Sequence, residues 1–584
     1  MAGRVFDSAM KYGSLAAYEY LGFRRSFSGF ERDVRECAAA LTALGIGEGD
    51  RVTVSLPNLP QALVLFYALN LIGAAACMTH PLSSGEEMAF YLESAKPRAF
   101  FTMYQFYDKF KPALDRLNVP NVVLTGAGDA LPRLLSAAMS LRDKKPRGAG
   151  APIRWNDFIK RGIAPGSAPA ANAAYPVRAR TLNQTSARDS VSAILYSGGT
   201  SGRTKGILLT NGSFNALADM TAEASGCIAP GKRMLAVMPV FHGFGLGICV
   251  HTALACGVTC LLVPRFTVKT YLKLLKTRRP NYIAGVPTLF EALLRLPNTE
   301  KLDLSCLDGI FSGGDSMPES LKARVDDFLS VRGSPARVRE GYGLTECVTA
   351  CCLTPDGGAE RAPSRIAPAP AGAFPAPADV KSAPAQFQSP RAGAGCIGVP
   401  LPGVLMKITE PGTDRELDTD EVGEICVSGA TVMLGYDGDE AETGSALRPH
   451  GDGRVWLHTG DLGARGADGM FYFRGRIKRL IISSGYSVYP YHVESVLGAC
   501  ELVKRCCVVG VADEYKMQKI RAYVVLEENA PAEGDAVEIL RNYCRKALAP
   551  YNRPREYVVR QELPVTALGK VAYRELEREA ALGK

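Results

Sequence analysis

Between Tyr196 and Gly206 the chain reads YSGGTSGRTKG, directly after the apolar run Ser192-Ala193-Ile194-Leu195. Glycines and small hydroxyl residues let backbone N–H groups approach an anion closely, and Lys205 adds a positive charge. The stretch is not a Walker A loop, which needs Gly-Lys-Ser/Thr in succession; here Lys205 precedes Gly206. Taken alone, it suits an ordinary tight turn as well as a phosphate cradle. Other reactive residues are more thinly spread. By themselves, Asp461 in HTGDLG (458–463) reads as a turn former and Lys570 in LPVTALGK (563–570) as a solvated lysine. Asp468-Gly469 predicts a hairpin turn. His242, His458 and His492 each read as satisfied core histidines when considered singly. No C-x-x-C pair occurs among the 16 cysteines, so zinc ribbons and thioredoxin-like motifs are unsupported.

These residues need a scaffold, and its pattern is legible. Val34, Cys37, Ala38, Leu41 and Leu44 recur at helical spacing, and Gly45 stands where a helix should stop. RVTVSLPN (51–58) predicts a short strand, 60–73 an apolar helix, and 74–79 a buried strand. Similar buried runs recur near 192–196, 234–239, 258–263, 281–285 and 308–312. Alternating helices and continuous apolar strands imply an α/β protein with largely parallel sheets. Ala62–Met78 and Gly243–Val263 are apolar enough to be weighed as membrane spans. Asn70 and Gly73 interrupt the first, and His251 with several glycines the second, so both read as buried helix followed by strand.

The chain has 584 residues and a net charge of +9. That is mild for the length, and no long block of like charge suggests nucleic-acid binding. MAGRVFDSAMKYGS has no basic run followed by an apolar core, so no secretory signal is expected. Sixteen scattered cysteines suit a reducing compartment, and the expected location is cytoplasmic. Residues 144–190 are rich in Ala, Pro, Arg and Ser around one ordered piece, IRWNDFIKRG. Residues 355–395 hold eight Pro and twelve Ala, too little apolar surface to offset ordering entropy, and read as a surface insertion. After Arg476 the texture becomes that of a compact α+β unit, 477–584, with alternating short strands and helices.

Six motifs in fixed order resemble the acyl-adenylate-forming superfamily, and most nearly its acyl-CoA synthetases. They are YSGGTSGRTKG, MPVFHGFG (238–245), FSGGDSMP (311–318), EGYGLTE (340–346), HTGDLG with FRGRIKRLIISSGYSVYPYHVE (473–494), and LPVTALGK. The resemblance implies a large N-terminal AMP-binding domain (1–476) of layered α/β subdomains and a small mobile C-terminal α+β lid (477–584). It implies ATP, Mg²⁺ and CoA as partners, a small carboxylic acid as substrate, no nucleic acid, no transmembrane segment, and a homodimer as one oligomeric form. Ser197, Gly198, Gly199, Thr200, Ser201, Gly202 and Lys205 would hold the β- and γ-phosphates. Thr200 and Glu346 would supply oxygens to Mg²⁺, which prefers such hard ligands. Tyr342 would lie against adenine, with Gly313, Gly314 and Gly341 beside the base. Thr345 would bond the α-phosphate. Asp461 would accept from both ribose hydroxyls, and Arg476 would contact ribose or phosphate. Lys570 would reach between the reacting carboxylate and the α-phosphate. His242 would stand beside the acyl pocket, Lys478 at the lid hinge, and Gly485 on the face offered to CoA.

The sequence also departs from the family. Arg203-Thr204 replaces an apolar residue and Pro, Gly485-Tyr486 replaces Gly-Gly, and Arg479 replaces a common Asp for no reason visible in the sequence. FHGFGLGICVHTAL lacks the Asp that would hold an amino acid's ammonium, so the expected acid is fatty or aryl. Two alternatives stand beside CoA ligation: transfer of the adenylate to a carrier-protein pantetheine, and a nucleotide-binding protein without turnover.

Overall fold

The computed structural model describes residues 1–140, 146, 151–162, 189–198, 204–356, 395–483, 486–513, 517–566 and 570–582. Among these, strands assemble into three sheets. In the first, Val191–Gly198, Ala75–Met78, Arg51–Ser55, Ala99–Met103, Val122–Thr125 and Ile153–Arg154 run parallel. Thr204–Thr210 then folds back antiparallel on Val191–Gly198, and Gly435–Tyr436 adds to its outer edge.

The second sheet has two halves. Ala16–Tyr20, Thr259–Leu262, Arg233–Ala236, Tyr282–Gly285, Gly309–Gly313 and Val338–Tyr342 are parallel. Beyond Cys352–Leu353, the strands Cys396–Pro400, Phe471–Arg476, Val455–Arg465, Gly423–Ser428 and Leu405–Thr409 pair antiparallel. The largely parallel expectation therefore holds for the first sheet and for the first half of the second, and fails for the other half. The Asp468-Gly469 turn forms between Val455–Arg465 and Phe471–Arg476, with Gly469 at φ +78°.

Helix Pro60–Leu71 is buried from Pro60 through Leu69, as a helix apolar on all sides must be. The Gly243–Val263 run is likewise buried, but its helix, Phe244–Thr252, is a π-helix. Glycines explain how it fits. A Cβ on Gly245 would stand 2.1 Å from the Pro239 carbonyl oxygen, and one on Gly247 would stand 2.8 Å from Leu217. Short π segments are rare and recur at functional sites.

The third sheet takes Tyr486–Val488, Ile481–Ser483, Met517–Leu526 and Val503–Asp513 antiparallel, with Glu556–Val559 parallel to Met517–Leu526. Helices Pro490–Gly498 and Glu533–Ala547 cover one face around Val493, Leu497, Val508, Val524 and Leu540. Helix Tyr573–Ala581, absent from the sequence reading, covers the other through Leu576 and Ala580. IRWNDFIKRG forms strand Ile153–Arg154 and helix Trp155–Arg161. The expected insertion lies almost wholly outside the described residues. Among the described residues, no helix is long and apolar enough to cross a membrane.

Candidate active site

The strands that flank the glycine-rich stretch pair antiparallel, with Ser197 opposite Lys205 and Gly198 opposite Thr204. Gly199, Thr200, Ser201 and Gly202 lie outside the described residues. Lys205 projects from the second strand onto the Tyr436 ring, 4.5 Å from its centroid, and pairs with Glu442. Tyr436 Oη donates to Glu346 Oε1 at 3.0 Å. A short, half-buried chain thus ties the hairpin to the Thr345–Cys347 turn, which carries both Thr345 and Glu346. The bidentate pair Arg51–Asp437, at 2.7 and 2.8 Å, braces the same edge. Burial raises the Glu346 carboxyl above its ordinary range. A buried carboxylate with one oxygen already oriented fits a hard-cation ligand, so the residue suits Mg²⁺.

Strands Gly309–Gly313 and Val338–Tyr342 run parallel and set Gly313 opposite Gly341. A Cβ on Gly313 would lie 3.1 Å from the Gly341 carbonyl oxygen, and Gly314 turns at φ +78°. The two strands therefore pack too closely at Gly313 for a side chain without some give. Tyr342 ends the second strand, and its Oη donates to Asp461 Oδ2 at 2.9 Å. Arg476, opposite Asp461 in register, contacts Oδ1 at 3.0 Å. Asp461 is 3% exposed, and burial raises its carboxyl despite Arg476 and Tyr342. A carboxylate offers about four lone-pair positions. Two are used here, which leaves two for a pair of vicinal hydroxyls.

Lys570 comes into the same space. Thr566 N–H donates to its carbonyl at 2.7 Å. Burial lowers its ammonium below the ordinary lysine range, against the pull of Asp315 and Asp461. Among the described residues it makes no ion pair. Lys570 also acts on His242, which burial foremost and then this ammonium push down to about 4. His242 Nδ1 accepts from Phe244 N–H at 3.2 Å, so the ring starts the π-helix. The wall behind it is tight: a Cβ on Gly243 would stand 1.7 Å from the Val348 carbonyl oxygen. Val348 itself is at φ +62° and is bridged by Thr349 N–H to Cys347 O at 2.7 Å. That is the rarer, strained form of γ-turn.

Lys570, Asp461, Arg476, Tyr342 and His242 thus converge, and Lys205 joins Glu346 through Tyr436. Lys478 lies in the single turn Ile477–Arg479 between the second and third sheets. Gly485 lies outside the described residues. Arg479 now has an account. It pairs with Glu494 at 2.5 Å, donates to the Val508 carbonyl at 3.2 Å, and sits 4.7 Å from the Tyr573 ring centroid. It anchors the turn to the small unit. Residues missed by sequence reasoning include Asn58, whose amide holds the Ala236 and Met238 carbonyls and the Val240 N–H at 2.9–3.0 Å. Glu442, Tyr436 and Glu424 were missed too. His251 is a satisfied core histidine between Tyr67 and Asn215, each at 3.1 Å.

Comparison with known proteins identifies the family. Residues 5–437 match the AMP-binding enzyme family, and residues 492–570 match the AMP-binding enzyme C-terminal domain. The chain belongs to the AMP-binding enzyme family. It is 30% identical to a long-chain-fatty-acid–CoA ligase of Bacillus subtilis (strain 168), over 98% of this chain and 93% of that protein. It is 27% identical to a probable 4-coumarate–CoA ligase 3 of Dictyostelium discoideum, covering 95% and 91%. ATP-bound MatB from Rhodopseudomonas palustris shares the fold with a TM-score of 0.78, at 23% identity and 99% and 98% coverage.

Proposed function

We propose that this enzyme activates an apolar carboxylic acid, of the long-chain fatty or aryl class, and delivers it to CoA. The chain is an acid–thiol ligase. A carboxylate oxygen attacks the α-phosphorus of ATP and pyrophosphate leaves; the thiol then attacks the acyl carbon and AMP leaves. The observation that carries the reading is the convergence of Lys570, Asp461 and Arg476 beside a buried wall, Phe244–Thr252, that bears no acidic side chain.

Each residue has one task in this reading. Asp461 accepts from the ribose hydroxyls, Tyr342 and the Gly313-Gly314 backbone border adenine, and Thr345 bonds the α-phosphate. The hairpin with Ser197, Gly198, Gly199, Thr200, Ser201, Gly202 and Lys205 holds the outer phosphates. Thr200 and Glu346 would hold Mg²⁺, which neutralises phosphate charge when bound. Lys570 stabilises the charge that gathers as two anions combine. Neutral His242 borders the acyl carbon without adding charge. The domain boundary falls at Arg476, Lys478 is the hinge, and Gly485 belongs to the CoA face. The sixteen thiols suit a reducing cytoplasm.

The test is pyrophosphate exchange into ATP with Mg²⁺ and a panel of acids, followed by thioester formation with CoA or with a phosphopantetheinylated carrier protein. Exchange with fatty or aryl acids and product with CoA are expected. Stimulation by polar amino acids alone would sink the acyl assignment, and product with the carrier alone would sink the acceptor assignment.

A further inference from the structure

The strand that carries Asp461 hangs on a buried polar chain. His450 and His458 face each other, Nε2 to Nε2, at 2.9 Å. His458 Nδ1 lies 2.9 Å from Glu424 Oε2, and Glu424 Oε1 accepts from Gly460 N–H at 2.9 Å. Gly460 immediately precedes Asp461 and sits at φ +70°. Here the ladder is irregular: Cys426 faces His458, but Glu424 faces Leu462. Extra residues on Val455–Arg465 form a bulge, and bulges beside functional sites re-aim a side chain. Asp461 lies within this bulge, and the Glu424 carboxylate spans its inside.

The hydrogens along this chain follow one another. Burial pushes the Glu424 carboxyl up, but the His458 and Gly460 hydrogen bonds outweigh it and hold it below the ordinary range. Glu424 is therefore a carboxylate, which only accepts. His458 Nδ1 must carry the proton and donate. His450 Nδ1 has no hydrogen-bond partner among the described residues, so the His450 proton sits on Nε2 and is donated to His458 Nε2, which accepts it as the bare nitrogen. The groups around His450 are Lys407 on Leu405–Thr409, Asp414 in the next turn, Asp452 on its own hairpin, and His458. Burial foremost, then Lys407, keeps its ring neutral. Glu424, Cys426 and His458 also look like a metal-ligand set. A protonated Nδ1 has no lone pair for a metal, so the hydrogen-bonded reading is the better one.

We propose that His450 is a positioning residue: through the fixed tautomers of His450 and His458 and the carboxylate of Glu424, it sets Asp461 for the ribose. The inference rests on the ribose-binding reading of Asp461. The experiment compares KM for ATP, KM for the acid and kcat in wild type, His450→Ala, His450→Gln and Asp461→Asn. His450→Ala leaves His458 Nε2 without a donor and should raise KM for ATP about ten-fold. KM for the acid and kcat should stay within about two-fold of wild type, since in the ribose-binding reading the change reaches neither substrate acid nor reacting atoms. Gln presents an N–H where Nε2–H stood and should restore KM for ATP to within about three-fold. Nitrogen-15 spectra of labelled histidine should show a protonated Nδ1 on His458 and a protonated Nε2 on His450.

An unchanged KM for ATP in a folded His450→Ala, or reversed tautomers, would overturn the proposal. So would a joint rise of both KM values without rescue by Gln, which marks a merely structural role. If His450→Ala does not fold, the Gln variant and the spectra decide. Asp461→Asn separates the layers. If it spares KM for ATP, the ribose reading falls and this one with it. If it raises KM while His450→Ala is silent, only the positioning role falls.

Discussion

Replacing Lys570 with Ala should separate the two half-reactions. The side chain is a buried ammonium that makes no ion pair among the described residues, yet it feels Asp315, Asp461 and Arg476. When ATP and acid enter, two anions meet beside it. A unit charge about 4 Å away at an effective dielectric constant of about 20 is worth about 4 kcal/mol. Only the part that grows in the transition state accelerates the reaction, so about 3 kcal/mol, or about 10²-fold in rate, is the expected loss. The thioester step starts from a formed adenylate and brings no second anion to this place. In single-turnover experiments, Lys570→Ala should therefore lose acyl-adenylate formation. It should convert supplied acyl-adenylate and CoA at within about three-fold of the wild-type rate. Stability should not fall, because no ion pair is broken. The pH dependence follows from the lowered ammonium. The working form is protonated, so adenylation should decline with rising pH through the folded value, below the ordinary lysine value of about 10.4. Between those two values the unfolded lysine holds more proton than the folded one, so this group's contribution to stability rises with pH. Equal loss of both half-reactions in a correctly folded variant would refute the reasoning.

Three further outcomes are expected. Lys478→Pro should show the opposite kinetic pattern, sparing adenylation and slowing thioester formation, because a fixed φ would hinder rotation at the proposed hinge; the same single-turnover assay checks it. Arg479→Met leaves the half-buried Glu494 without its cation and should cost about 2 kcal/mol in denaturant unfolding of the small unit, with much of the loss recovered in the Arg479→Met, Glu494→Met double variant. Gly243→Ala pushes a methyl to within 1.7 Å of the Val348 carbonyl oxygen and should destabilise the acyl wall by about 3 kcal/mol, seen as a lower denaturation midpoint and a raised KM for the acid with KM for ATP little changed.

Much of the scaffold of the proposed nucleotide side was legible because it stands at the carboxyl ends of buried parallel strands. Tyr282–Gly285 and Gly309–Gly313 are apolar runs ending in glycine, and such runs mark themselves. The hairpin at Asp468-Gly469 was legible from its turn chemistry. What stayed hidden depends on pairing between distant segments. Glu442 meets Lys205 across 237 residues, and Glu424 meets His458 across 34 through an irregular register. Neither distance leaves a local signal. Arg479 looked unexplained because Glu494 reaches it only after a strand pair and a helix have folded between them. The Phe244–Thr252 run announced a buried helix, but the π hydrogen-bonding pattern is not a property of its apolar composition. It accompanies a close approach between Gly243 and Val348.

If the hairpin holds phosphates as proposed, the pairing of Lys205 with Glu442 makes its occupation an exchange of anions rather than a simple addition. An arriving triphosphate must displace a carboxylate that already neutralises the ammonium. Polyphosphate does this with several charges at once. AMP, with no β- or γ-phosphate, brings little to the contest, and after pyrophosphate leaves Glu442 can retake its partner. The carboxylate therefore acts as an internal competitor whose local concentration is fixed by the fold. Its removal in Glu442→Gln should tighten pyrophosphate inhibition and steepen the salt dependence of ATP binding, while AMP affinity changes little.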